Sequence, residues 1–175
     1  MAEPVSLFEA RAHLRVDHSN DDALIQAYIA AARGHVESLT SRTLVATSRT
    51  DYFDAWQDEF VLLHGPVSAV ASVKYVAEDG TLTTLATTVY RTDLASLQAR
   101  VTLEHGQAWP TAREVTNAIQ IAYTAGQAVP AALKHAVLLG TAHFYEQRAP
   151  VGPGSLAELP HMVTDLCRPY RIITV

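Results

Sequence analysis

The sequence has 175 residues, the size of one globular domain. Hydrophobic residues make up 49% and charged residues 18%, and the formal net charge is −5. No basic stripe is present, which argues against binding duplex DNA through its phosphates. The single cysteine, Cys167, excludes an internal disulfide, and no apolar run approaches the ~20 residues of a membrane span. We therefore expect a soluble protein that is not exported.

The N-terminal region predicts two helices. Ser6 and Glu9 match a capping box, so a short helix is expected to run to about Arg15. A second helix is expected from Asp21 to Leu39, with a wide apolar stripe along it. This second helix also carries a row of small residues that would let another backbone come close: Ala23, Ala27, Ala30, Gly34 and Ser38.

Between residues 45 and 126 the pattern changes to short alternating or β-branched runs. Asp79-Gly80 is a good hairpin turn, and Trp109-Pro110 closes a loop. Carboxylates around Trp56, including Asp51, are typical of a solvated acidic loop. The predicted strands are Ala46–Phe53, Glu59–Leu63, Ala71–Val76, Thr81–Leu85, Leu97–Leu103 and Val115–Tyr123.

A long late helix is predicted to begin at Pro130 and to run to about Arg148. It is apolar on more than one side, and such helices are buried on more than one side. In a chain this small, we expect the second side to contact another subunit. Small residues on this helix predict a close crossing in which Ala30 and Gly34 face Ala136 or Gly140.

The C-terminal region predicts a short helix from Leu159-Pro160 to about Cys167, ended by Pro169. Tyr170–Val175 is β-prone and could stay disordered, add a strand to a neighbour or thread into a partner. The expected class is α+β: a small helical bundle from the N- and C-terminal helices, with a β-rich insert of short antiparallel strands. We expect a single domain over residues 1–175, divided into a helical part (1–44), the insert (45–126), a second helical part (127–168) and a tail (169–175).

No arrangement of residues in the sequence predicts catalysis. His135 and His143 lie two helical turns apart, too far to share one metal ion without further ligands, although Glu146 follows nearby. Cys167 has no base beside it, and no nucleophile elbow or phosphate-binding glycine loop occurs. We therefore expect no enzyme activity, cofactor or metal. The alternative is a small metal-dependent hydrolase that uses His135, His143 and Glu146.

The order of these parts resembles the head–tail connector (adaptor) proteins of tailed phages and of phage-like gene transfer particles. The similarity spans nearly the whole chain. Its motifs are SLFEARAHLRVDHSNDDALIQAYIAAARGHVESLTSRTL, LHGPVSAVASVKYV with the following DG hairpin, Trp109-Pro110, YTAG with VPAALKHAVLLGTAHFYEQR, and LPHMVTDLCRPYR.

The resemblance implies a structural protein of the virion, located at the head–tail interface and assembled in the host cytoplasm. It implies a homo-oligomeric, dodecameric ring that docks under the portal protein and extends the DNA channel. The ring offers a platform to a downstream neck or tail-completion protein, and DNA passes through it without sequence-specific binding. No membrane is involved.

The same resemblance suggests two sets of interface residues. The C-terminal segment would contact the portal through Leu159, Arg168, Tyr170, Arg171, Ile172 and Ile173. The late helix would contact a neighbouring subunit through Leu138, Leu139, Tyr145, Glu146 and Arg148.

Overall fold

A computed structural model describes residues 3–147 and 161–172 of the chain, which divides into two compact units. The helical unit comprises Met1–Val45 and Ala128–Val175, and the β unit comprises Ala46–Gln127. The predicted α+β class is confirmed, with helices from both ends of the chain and short antiparallel strands between them. That the two units fold as one domain stays a prediction.

The described part of the helical unit contains α1 (Leu7–Leu14), α2 (Asp22–Thr40), α3 (Ala131–Glu146) and α4 (His161–Cys167). A 3-10 helix over Arg168–Tyr170 follows α4 directly. The chain therefore does not become extended at the proline that was expected to end the last helix, but continues for one tighter helical turn. The predicted start of that helix at Leu159 lies outside the described residues.

The capping box at the start of α1 is confirmed. The Ser6 hydroxyl accepts a hydrogen bond from the Glu9 N–H at 3.2 Å, and the Glu9 carboxylate accepts one from the Ser6 N–H at 2.7 Å. These bonds satisfy two amides that have no partner within the helix. The Glu9 carboxylate also accepts a hydrogen bond from the Ser6 hydroxyl at 2.7 Å. The two bonds that it accepts from Ser6 lower the pKa of Glu9, because they favour the ionised carboxylate.

The core of the helical unit forms where the apolar stripe of α2 packs against α3. Residues three and four apart on a helix share a face, so a regular apolar spacing produces one continuous buried surface. Val163 and Cys167 of α4 belong to the same core. The residues that α2 and α3 contribute are Ile25, Ile29, Ala32, Val36, Leu133, Ala136 and Val137.

The small-residue row of α2 does not form this contact. Gly34 is exposed, and a Cβ atom added there would meet no atom within 4 Å. The predicted placement of Gly34 against Ala136 or Gly140 is therefore wrong, although α2 and α3 do pack together. The reason is that larger side chains on the neighbouring face of α2 remove more apolar surface from water when they are buried.

The β unit contains two antiparallel sheets. The first has the strand order β1-β7-β3-β4 and the second has the order β2-β6-β5. The predicted hairpin at Asp79-Gly80 joins β3 to β4, and Gly80 adopts a φ of 88°, which favours glycine. The strands are β1 (Thr47–Phe53), β2 (Glu59–Val61), β3 (Val67–Val76), β4 (Leu82–Thr84), β5 (Tyr90–Asp93), β6 (Arg100–Leu103) and β7 (Ile119–Ala125).

Several strands differ from the prediction. Strand β6 begins at Arg100 rather than Leu97, and β7 spans Ile119–Ala125 rather than Val115–Tyr123. Two further differences, in β3 and β5, have identifiable reasons. Strand β3 begins at Val67 rather than Ala71. Its pairing with β7 shifts register between Val67 and Ala69 and again between Val70 and Ser72, and these shifts disrupt the alternation on which the prediction depends. Strand β5 was not predicted, since only Tyr90 of its four residues is buried. It pairs with β6 alone, and an edge strand has a weak periodic pattern.

A buried polar contact joins three parts of the β unit: strand β1, strand β7 and the segment between β2 and β3. The Asp51 carboxylate is 6% exposed and accepts hydrogen bonds from the Tyr123 hydroxyl and the Leu63 N–H, both at 2.9 Å. The expectation that Asp51 belongs to a solvated acidic loop is therefore wrong. Burial and the bond to Asp51 raise the pKa of Tyr123.

Two stacked indoles fasten the long loop before β7 to the loop after β1. The rings of Trp56 and Trp109 lie 4.5 Å apart and nearly parallel. The Trp56 N–H donates to the Pro110 carbonyl at 2.7 Å, and the Trp109 N–H donates to the Gln57 carbonyl at 3.1 Å. Each indole thus buries apolar surface while its one donor is satisfied.

Candidate interaction surfaces

The second apolar side of α3 is only partly covered within the helical unit. Leu138 and Leu139 pack against the edge of the core but keep part of their surface accessible. The fully buried line of α3 runs through Leu133, Ala136 and Val137 instead. Leu138 and Leu139 are therefore available to a further partner without unfolding the unit.

Tyr145 has a contact inside its own chain. Its hydroxyl donates to the Asp21 carboxylate at 2.6 Å, at the start of α2. This bond fixes the end of α3 against the beginning of α2. Glu146 follows on the exposed surface, and Arg148 lies outside the described residues.

The C-terminal candidates separate into exposed and buried side chains. Arg168 and Arg171 are exposed, Tyr170 is half-buried, and Ile172 is 7% exposed. Leu159 and Ile173 lie outside the described residues. Of the side chains predicted to contact the portal, the two arginines are thus the most accessible described ones, whereas Ile172 is buried within the helical unit.

Arg42 holds the C-terminal segment, defined here as residues 168–172. Its Nε donates to the Tyr170 carbonyl at 2.6 Å, and its guanidinium carbon lies 5.8 Å from the centre of the Tyr170 ring. Partial burial lowers the pKa of Arg42. The Ile172 N–H donates to the Thr40 carbonyl at 2.8 Å. Sequence reasoning missed Arg42 and Thr40, because their partners are remote in the chain.

An apolar groove lies beside α1. It is lined by Leu7, Phe8, Arg11, Ala12 and Val16, and the Phe8 side chain is 82% exposed. Within the described ranges, no helix is long and apolar enough to cross a membrane.

The residues of the hydrolase alternative do not form a metal site. His135 contacts the ring of His13 edge-on at 6.1 Å, whereas His143 contacts Phe144. In the part of the chain that the structure describes, no group of three His, Cys, Asp or Glu residues is arranged to hold a metal ion. Cys167 is buried, which raises the pKa of its thiol and disfavours the nucleophilic thiolate.

Comparison with known proteins gives matches in sequence and in structure. Residues 4–80 match the family described as Phage gp6-like head-tail connector protein. No curated protein sequence matches the chain.

Three chains of solved gene transfer agent (GTA) particles are similar over almost the full length. One, from the neck of an empty GTA particle computed with C6 symmetry, is 28% identical, with a TM-score of 0.78 and coverage of 100% of this chain and 94% of that chain. One from the neck of a native particle computed with C12 symmetry is 28% identical, with a TM-score of 0.76 and the same coverage. A chain of the native virion is 26% identical, with a TM-score of 0.79, covering 98% of this chain and 91% of that chain. The chain is therefore similar to phage head–tail connector proteins over residues 4–80, and to chains of GTA necks and virions over almost its full length.

Proposed function

We propose that the chain is one subunit of a dodecameric ring that docks under the portal at the head–tail interface of a virion or gene transfer particle. The observation that carries this proposal is the full-length similarity to a chain from a GTA neck computed with C12 symmetry. A rotationally symmetric neck requires each subunit to present two different surfaces, one to each neighbour. The subunits are made in the host cytoplasm and join the particle there.

The ring extends the DNA channel below the portal and provides a platform for the next neck or tail-completion protein. The charge of the chain supports passage of DNA without adhesion. The β unit has nine acidic against five basic residues, so its net charge opposes binding to phosphates. DNA passes without sequence-specific contacts.

Neighbouring subunits meet through the partly covered side of α3. Leu138 and Leu139 supply the accessible apolar surface, and the exposed Glu146 follows about two helical turns later. Tyr145 contributes its ring while its hydroxyl stays bonded to Asp21. Arg148, which lies outside the described residues, is the predicted cation of this interface.

The portal contacts the C-terminal segment. Arg168 and Arg171 are its exposed cations, and Tyr170 is half-buried beside them. Leu159 and Ile173, which lie outside the described residues, are the remaining predicted contacts. Arginine suits this role, because its planar fork binds carboxylates bidentately. Ile172 supports the surface from within the helical unit.

Co-purification with the cognate portal protein tests the proposal. The wild-type chain is expected to be retained by the portal, and the double variant Arg168→Ala/Arg171→Ala is expected to bind at least tenfold more weakly, since two charged contacts are removed. Arg91→Ala, which removes an exposed arginine in the β unit, is the matched control. Failure of the wild-type chain to bind the portal would contradict the proposed function.

Truncation at Ala157 is a poorer test, because it also removes Val163 and Cys167 from the helical core. Loss of binding would then have two explanations. Point variants of exposed arginines avoid this ambiguity.

The protein acts without catalysis in this account. The double variant His135→Ala/His143→Ala, which keeps the proposed interface residue Glu146, is expected to bind the portal like the wild type. Metal analysis of the purified chain is expected to show no stoichiometric ion. A bound metal that the double variant loses, together with a hydrolytic activity, would favour the alternative.

A further inference from the structure

The C-terminal segment is fastened to the end of α2 by three contacts. The Ile172 N–H donates to the Thr40 carbonyl at 2.8 Å, and Arg42 Nε donates to the Tyr170 carbonyl at 2.6 Å. The third contact places the Arg42 guanidinium 5.8 Å from the centre of the Tyr170 ring, within the range of a cation–π interaction. We call these three contacts the latch.

The latch forms where α2 has unsatisfied backbone groups. The last four carbonyls of a helix have no partner within it, and Thr40 is the last residue of α2. Ser41 then adopts a left-handed conformation with a φ of 54°, which turns the chain at the end of the helix. Ile172, far away in sequence, thereby supplies a cap that the residues following α2 do not.

The turn that carries Arg42 is itself held from the other side. Glu37 accepts a hydrogen bond from the Leu44 N–H at 2.7 Å and forms an ion pair with Arg33 at 2.8 Å. Arg33 also contacts the Glu3 carboxylate at 2.8 Å. The turn that carries Arg42 is therefore held in place by these contacts, and the Arg42 guanidinium is positioned to donate to the Tyr170 carbonyl.

The latch leaves two other cations outside. The side chain of Arg168 is 79% exposed, and Arg171 is also exposed, while the side chain of Ile172 is buried. Asp165 lies 3.7 Å from Arg168, but both side chains are open to water, so this pair is weak and can be exchanged for another carboxylate. The fixed backbone thus holds two guanidinium groups ready for an external acidic partner.

We propose that Arg42 is a positioning residue that latches the C-terminal segment to α2 and so presents Arg168 and Arg171 as a preorganised cationic edge for a carboxylate-bearing surface of the portal. This inference rests on the proposed function. A preordered edge binds more tightly than a mobile one, because less conformational entropy is lost on binding.

The expected effect has two linked magnitudes. Removing a hydrogen bond from a charged donor shifts the opening equilibrium of the latch by roughly tenfold or more. Affinity for the portal falls by no more than the same factor, because apparent affinity scales with the fraction of molecules that are latched. Arg42→Lys keeps the charge but not the geometry of Nε, so it is expected to fall between Arg42→Ala and the wild type.

Hydrogen exchange of the C-terminal peptide in the isolated chain measures the latch, and the affinity for purified portal protein measures its consequence. Arg42→Ala is expected to speed exchange at Ile172 by roughly tenfold and to weaken portal binding. It is also expected to weaken binding much less in the background of Arg168→Ala/Arg171→Ala, because the edge that it positions is then absent. Helical circular dichroism establishes that each variant is folded, and Arg91→Ala is the control.

Each other outcome overturns the inference in a different way. Unchanged exchange in Arg42→Ala would show that the latch does not hold the segment. Faster exchange with unchanged portal binding would show that the latch does not serve presentation. Weaker binding without faster exchange would show that Arg42 contacts the portal directly. If the wild-type chain does not bind the portal, the proposed function and this presentation role both fail, while the exchange result still decides whether the latch exists.

Discussion

Replacement of Ile172 by alanine is expected to destabilise the helical unit by about 2 kcal/mol, the lower end of the range for isoleucine-to-alanine changes in a core. Ile172 is 7% exposed, so the methyl and methylene groups that the substitution removes are almost all buried in the folded protein. The site lies near the chain end and can relax, which is why the lower end applies. The backbone N–H that caps Thr40 is retained in this variant.

The measurement must report on helices, because Trp56 and Trp109 both lie in the β unit and their fluorescence follows that unit instead. Urea unfolding followed by helical circular dichroism serves this purpose. For a unit of about 90 residues, the expected loss corresponds to a fall in melting temperature of roughly 8–16 °C.

Arg171→Ala is the matched control, because it changes the exposed neighbour of Ile172 and is expected to alter stability by no more than about 0.5 kcal/mol. Equal stabilities of the two variants would refute the reasoning. They would show that Ile172 contributes nothing to the helical core and is available to a partner.

Three further changes test the internal contacts. Tyr123→Phe removes a hydrogen bond to the buried Asp51 and is expected to cost the β unit about 1–3 kcal/mol in urea unfolding. The raised pKa of Tyr123 keeps its proton in the folded state, so wild-type stability is present below the ordinary tyrosine pKa of about 10 and falls above it by up to ~1.4 kcal/mol per pH unit. An undiminished alkaline slope in Tyr123→Phe would contradict this assignment. Trp109→Phe weakens the stack with Trp56 and deletes an indole donor. The free energy of unfolding, followed by near-ultraviolet circular dichroism, is expected to fall by about 1–2 kcal/mol. An unchanged free energy would show that other contacts hold the loop. Ser6→Ala removes the cap of α1 and is expected to speed hydrogen exchange there by about fivefold, whereas Ser6→Asp retains a cap; equal exchange in both would argue against the capping role.

Local patterns predicted most of the helices and several of the strands. The capping box at Ser6, the proline before α3 and the Asp79-Gly80 turn each fix backbone geometry through nearby residues. These features can be predicted from sequence, because the residues that form each of them lie within a few positions of one another. The helical spacing of apolar residues likewise identified the long helices, since burial of a face requires that period.

Contacts between distant residues could not be predicted in the same way. Arg42 and Tyr170 are brought together only when α4 packs against the end of α2. The segment that begins at Asp51 has the composition of a surface loop. Asp51 is nevertheless buried, because Tyr123 and Leu63 donate hydrogen bonds to its carboxylate. The small row containing Gly34 predicted a close crossing, yet the competing apolar face of α2 buries more surface.

The family resemblance, rather than any chemical motif, led from the fold to a function. Interfaces of a ring are packing surfaces, and their residue types do not differ from those of an ordinary core edge. Leu138 and Leu139 illustrate this point, because they complete the helical unit and still retain accessible surface.

The stoichiometry of the complex between the chain and its cognate portal, measured by native mass spectrometry, tests the central claim most directly. We expect one saturated assembly in which twelve copies of the chain are bound to one portal ring, as the C12 symmetry of the matched GTA neck suggests. Absence of a complex, or a continuous distribution of smaller copy numbers at saturating chain, would contradict the claim that this protein forms a closed connector ring under the portal.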